Sequence, residues 1–222
     1  MREITDERIL EMLGVKDFRY ETIKDRLKMR LHDVDEDNEH GEITKEVGNG
    51  YEIAFYLEGA VNSERNMVLH IPEALAKEHG YDKDEMLKDA LANAERETKV
   101  WFSSMENMLT GNYGEDPRKM GGVGRMDKMY TLTTDKNYNG ATALYYEGVQ
   151  ESISKLLNGD YYLLPSSRHE WVIIPLCMNE EVEELALHDM VRMINSTEVA
   201  PIDFLSNKVL KYDSKKGKLV IA

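Results

Sequence analysis

MYTLTTDKNYNGATALYYEGVQESISKLLNGDYYLLPSSRHEWVIIPL, residues 129–176, reads as two strands, a helix and two further strands. The runs 129–133 and 141–145 are joined by 134–140, where Asn139-Gly140 is a strong turn signal. Residues 148–157 set Val149, Ile153, Leu156 and Leu157 at helical spacing and close on Asn158-Gly159. The runs 161–164 and 171–176 have little polar alternation, which is the pattern of strands covered on both faces.

Downstream, residues 179–194 predict a helix with Glu180, Glu181, Glu183 and Glu184 at the positive end of its dipole and with Leu185, Ala186, Met190, Val191 and Ile194 packed. The tail 209–220, with 213–217 as turn, reads as a closing hairpin. Upstream, residues 110–128 hold Gly111, Gly114, Gly121, Gly122, Gly124 and Pro117 with few apolar residues, the composition of a mobile linker. The Gly121-Gly-Val-Gly124 run lacks both the preceding strand and the lysine of a phosphate loop.

In the first half, Thr5 or Asp6 caps a helix presenting Ile9, Leu10, Met12 and Leu13, with Gly14 placed to stop it. Residues 23–34 carry both helical and alternating spacing, and a strand is expected over their second half, partnered by 51–57 and 67–71 in an antiparallel meander. After Pro72 a short helix covers 73–79. A longer one, capped by Asp82, carries the stripe Met86, Leu87, Ala90, Leu91 and Ala94, which can run on through Trp101, Phe102, Met105 and Met108. The expectation is an α+β chain: 1–109 as βββαα, 110–128 as linker, and 129–222 as ββαββα with a hairpin, its sheets mostly antiparallel and covered by helices.

Composition limits the functional classes. Twenty-eight Lys+Arg against 42 Asp+Glu leave a formal charge of -14, which repels nucleic-acid phosphates and anionic membranes. The single cysteine, Cys177, allows no intrachain disulfide and reads as a small packing residue of a cytoplasmic protein. No apolar run reaches the ~18 residues needed to cross a bilayer.

Two polar stretches invite a site. Asp33, Asp35 and Asp37 alternate as in a calcium loop, yet Asn38 and Thr44 stand where such a loop needs glycine and a bidentate glutamate, so a solvated hairpin loop is expected. The second stretch, Ser166, Ser167, Arg168, His169 and Glu170, lies between two apolar strands. As an enzyme site it would set a serine beside His169 as base, with a carboxylate to orient it. As a turn it would use the serine hydroxyls on backbone groups and pair Arg168 with a carboxylate. The serines lack a nucleophile-elbow glycine pattern, and neighbours such as His169 and Glu170 point to opposite faces of a strand. The six histidines are scattered, and Glu184 with His188 makes only half a metal site, so neither metal nor cofactor is expected.

The runs Met129-Tyr-Thr-Leu-Thr, Asn139-Gly-Ala, Tyr162-Leu-Leu-Pro-Ser-Ser-Arg-His-Glu and Ile194-Asn-Ser-Thr-Glu-Val-Ala-Pro resemble a family of uncharacterised proteins of intestinal bacteria, known as a numbered domain of unknown function. The match covers roughly 129–213, with Glu147, Arg168 and Trp171 departing from the pattern. The resemblance supplies no activity or cofactor. It implies cargo of mobile elements, and with it a role against host defences. The combined expectation is a non-catalytic acidic module that binds a protein with a basic surface, with no direct nucleic-acid or membrane binding. The alternative is a hydrolase using Ser166, Ser167 and His169.

Overall fold

The computed structural model describes residues 6–36, 38, 41–63, 65–110, 114–121, 127–178 and 183–222. By contacts the chain divides into two compact units, Met1–Glu97 and Thr98–Ala222. The described part of the glycine-rich stretch 110–128 therefore falls inside the second unit. The architecture is α+β, with antiparallel sheets throughout.

The first unit is built on β3 (Tyr51–Ala60), whose residues from Ile53 to Leu57 are all buried. Strand β1 (Lys28–Asp33) pairs with it from Lys28↔Tyr56 to Asp33↔Tyr51. Strands β2 (Thr44–Gly48) and β4 (Asn66–His70) pair successive parts of it. The expected meander thus gains a strand: β2 is short and polar, so nothing in TKEVG alternates. Helix α1 (Asp6–Leu13) packs on β3, while Thr5 lies outside the described residues. A Cβ on Gly59 would collide with the Met12 carbonyl, so only glycine lets helix and strand approach this closely. After the short α2 (Tyr20–Ile23) and, further on, α3 (Glu73–Glu78), helix α4 (Lys83–Glu97) lies against β1 and buries Met86, Ala90 and Asn93. The buried Asn93 donates to the carbonyls of Lys24 (2.7 Å), which opens a 3-10 turn, and Leu27 (3.1 Å), which closes it.

The stripe of α4 does not continue. Helix ends at Glu97, and Val100–Ser104 is a strand, β5, its Phe102 ring stacked on Tyr130 at 4.8 Å. Helix resumes only as the short α5 (Met105–Leu109), capped by Ser104, whose hydroxyl accepts from the Asn107 N–H at 3.3 Å. Strand β5 pairs with β6 (Tyr130–Thr134), and β6 pairs on its other side with β8 (Glu170–Pro175). This explains a second correction. Residues 141–145, expected as a strand beside 129–133, form instead a 3-10 turn over Gly140–Tyr145, because both edges of β6 are already filled.

Helix α6 (Val149–Leu157) ends on Asn158, left-handed at φ 56, as its turn residues predicted. Strand β7 (Tyr161–Ser167) lies between β8 and β9 (Leu210–Asp213), and β10 (Lys218–Ile221) closes the six-stranded sheet in the order β10-β9-β7-β8-β6-β5. Helix α7 (Glu184–Thr197) packs on β7. Val191 and Met190 pack as expected, but the rest of the stripe differs: Leu187 is buried with Tyr162, Leu164, Ile174 and Val209, while Ala186 is exposed, Leu185 is 68% exposed and Ile194 37%. Glu180 and Glu181 lie outside the described residues.

Candidate functional site

The polar corner forms where three segments of the second unit meet. Strand β7 shifts register between Pro165 and Ser167, then turns into β8. Asn139 adopts the left-handed conformation, φ 51, and starts the 3-10 turn alongside. A second 3-10 turn, Pro201–Asp203, supplies the third side.

His169 joins the three. The Asn139 N–H donates to its Nδ1 at 3.0 Å, so Nδ1 acts as acceptor and the ring proton sits on Nε2, which donates to Asp203 Oδ1 at 3.0 Å. Its carbonyl accepts from Thr133 Oγ1 at 2.7 Å, and Tyr138 stacks on its ring at 5.4 Å between centroids. Arg168 holds the same turn through its backbone: its N–H donates to the Asp203 carbonyl at 2.9 Å, and its carbonyl accepts from the Ala141 N–H at 3.2 Å. Its Nε donates to the Phe204 carbonyl at 2.9 Å. Trp171, fully buried, donates from Nε1 to the Ala141 carbonyl at 2.9 Å. Gly140 sits in the middle, where a Cβ would run into Thr133 Oγ1 and the His169 carbonyl.

The two serines face elsewhere. Ser167 Oγ accepts from the His169 N–H at 3.1 Å, and Ser166 Oγ donates to Glu170 Oε1 at 3.1 Å. All five residues singled out here come together, but neither hydroxyl is bonded to the imidazole. His169 lies in the turn between β7 and β8 and Glu170 opens β8, and the two side chains turn to different partners. A general base needs a ring nitrogen turned toward its nucleophile. Here both nitrogens serve the fold, and the arrangement joins loops. From the sequence Asn139 stood out only as part of the Asn139-Gly140 turn, nothing marked Tyr138 or Asp203 as members of the site, and Asp203 lies 34 residues from His169.

The acidic loop resolves differently. Asp33 closes β1, and its Oδ1 accepts from the Asp35 N–H at 2.9 Å, so this carboxylate is committed to its own turn. Asp35 is exposed, and Asp37 lies outside the described residues. Among the described residues no group of three or more His, Cys, Asp or Glu is placed to hold a metal ion. Close by, Glu42 is buried. Arg30 Nη2 lies 2.8 Å from both of its carboxylate oxygens and His70 Nδ1 3.2 Å from one. Burial alone would raise the Glu42 carboxyl, but the hydrogen bonds from His70 and Arg30 hold it down to about 2. His32, also buried, sits 3.3 Å from both Glu36 and Glu52. Neither cluster shows in the sequence, because β3 and β4 bring the partners together.

Elsewhere, Glu184 accepts from Tyr162 Oη at 2.8 Å, and His188 Nε2 lies 3.3 Å from the Ala222 carbonyl. Burial and that carboxylate push the Tyr162 phenol up to about 12. Cys177, expected to pack, is exposed, its thiol donating to the Leu157 carbonyl at 3.1 Å. A cleft of about 80 Å³ is lined by Ser103, Ser104, Asn107, Glu115, Phe102 and Tyr130 among others, and contains none of the polar residues named from sequence as site candidates.

These features define an α+β chain of antiparallel sheets whose polar corner is a hydrogen-bonded junction. It belongs to the family of unknown function DUF5688, which it matches over residues 3–214. No curated protein and no solved structure matches it. Among the described residues no helix is long and apolar enough to cross a membrane.

Proposed function

We propose that this chain is a non-catalytic acidic module that binds another protein through that protein's basic surface. The observation that carries the reading is the formal charge of -14 over 222 residues. Such a field draws basic surfaces in and repels phosphates. The commitment of both His169 ring nitrogens to Asn139 and Asp203 supports it from the other side, since the serines beside it have no base turned toward them. The partner class we propose is a host-defence or nucleic-acid-handling protein whose basic groove otherwise holds nucleic acid. The protein would act there as an inhibitor, in the cytoplasm and as the product of a mobile element.

Affinity capture from bacterial and phage lysates at low and at high salt, with the bound proteins identified by mass spectrometry, tests the reading. Exposed charges are screened over about 8 Å at physiological ionic strength, so the captured protein should be basic and should be released as salt rises. Capture that ignores salt, or an acidic partner, would count against it.

A further inference from the structure

The two ring nitrogens of His169 face neighbours that ask for opposite charge states. A backbone N–H can only donate, so the Asn139 amide, 3.0 Å from Nδ1, requires that nitrogen to carry no proton. The Asp203 carboxylate, 3.0 Å from Nε2, accepts from the ring in either state and holds the cation better. A neutral ring with its proton on Nε2 satisfies both. An imidazole takes up a second proton between about pH 8 and pH 5, and here that proton has one place to go, Nδ1, where it meets another donor.

The surroundings decide which side yields. Asp203 draws the cation in from the Pro201–Asp203 turn, and Tyr138 presents its ring face to the imidazole, which also favours a cation. Among the described residues Asp203 is the one carboxylate within bonding distance of the ring. Glu170 Oε1 is engaged by Ser166, and Asp135 Oδ1 accepts from the Lys99 N–H at 2.9 Å. Arg168 Nε is bonded to the Phe204 carbonyl, and Lys136 is exposed. From β6 comes Thr133, which does not titrate and is bonded to the His169 carbonyl. A protonated Nδ1 therefore has no carboxylate to turn to. Asn139 is 8% exposed, so its displaced N–H reaches water only if the backbone there moves. Further along, Ala141 stays tied to Arg168 and Trp171, which confines the movement to the start of the turn.

We infer that His169 is an acid-sensitive latch: protonation of Nδ1 expels the Asn139 N–H and loosens the start of the Gly140–Tyr145 turn, while the tie to Asp203 tightens. The inference is independent of the acidic-module reading.

Nitrogen-15 NMR on the full chain between about pH 8 and pH 5 tests it. His169 Nδ1 should be unprotonated at the upper end and protonated at the lower, and the Asn139 amide resonance should shift with the same midpoint. Corrected for intrinsic exchange, the protection of the Asn139 amide should fall at least about tenfold, while the Ala141 and Arg168 amides keep theirs. His169→Asn sets a carbonyl oxygen that does not titrate in the place of Nδ1, and should leave Asn139 protection flat over the same range. A ring that stays neutral throughout, a proton on Nδ1 at the upper end, or an Asn139 amide that ignores the ring's titration would overturn the latch. So would the same loss of protection in His169→Asn, which would assign the change to another group. If that variant does not fold, the two wild-type midpoints decide, and disagreement between them overturns the inference.

Discussion

Arg30 and Glu42 form a buried ion pair across the first unit, the Arg30 Nη2 lying 2.8 Å from both Glu42 oxygens, with His70 as a third member. The pair joins strand β1 to the segment that leads into β2.

Glu42→Gln should therefore destabilise the protein by about 3 kcal/mol at neutral pH, since it leaves a largely buried guanidinium without its counter-charge. The folded carboxyl is held at about 2 against an ordinary 4.5, so its stabilisation is fully present above 4.5 and is lost as pH falls toward 2. Denaturant unfolding of both proteins across that window should show the gap closing with acid. Parallel curves would refute the assignment.

Gly140→Ala should cost about 2 kcal/mol or more, because the added methyl group meets Thr133 Oγ1 and the His169 carbonyl in a closely packed corner. Gly121→Ala, where nothing lies within 4 Å of the added atom, serves as control and should leave the unfolding midpoint in place.

Asp203→Asn replaces a charge-assisted hydrogen bond by a neutral one and should cost about 1 kcal/mol. The more telling signal is local. Hydrogen exchange should accelerate at the Arg168 amide, which donates to the Asp203 carbonyl, and at the Ala141 amide one bond further on. Acceleration spread evenly over the six-stranded sheet would mean that His169 and Asp203 do not tie the corner.

Leu187→Ala and Leu185→Ala separate the two faces of α7. Leu187 is 4% exposed and its truncation should cost about 3 kcal/mol, whereas Leu185, 68% exposed, should cost almost nothing. Equal effects in thermal unfolding would show that the helix is rotated from the register described.

What could be read in advance follows a physical rule. Strong local signals held: the apolar runs of β7 and β8, the Asn158-Gly159 stop and the Asp213–Gly217 turn all lie where the residues place them. Signals that depend on partners did not. Val100–Ser104 has apolar spacing suited to a helix, but its pairing with β6, about thirty residues away, settles it as strand. The Asn139-Gly140 step made 141–145 look like a strand returning beside β6, but β5 and β8 hold both edges of β6. Leu185 and Leu187 differ by two positions on a helix with several apolar residues on each side, and only β7 decides which of them is buried. At the corner, the composition of Pro165-Ser-Ser-Arg-His-Glu170 announced a polar turn, but the partners that determine its chemistry, Asn139 and Asp203, come from other loops.

Because β5 lies ahead of the glycine-rich stretch and seals the flank of β6, an expression fragment begun at residue 129 would leave the Tyr130–Thr134 ladder with an open row of backbone donors and acceptors. Such a fragment should aggregate, although it contains most of the six-stranded sheet. One begun near Thr98 should remain dispersed. On the ribosome the same sheet cannot be completed until β9 has emerged to pair with β7, some fifty residues after that strand was made.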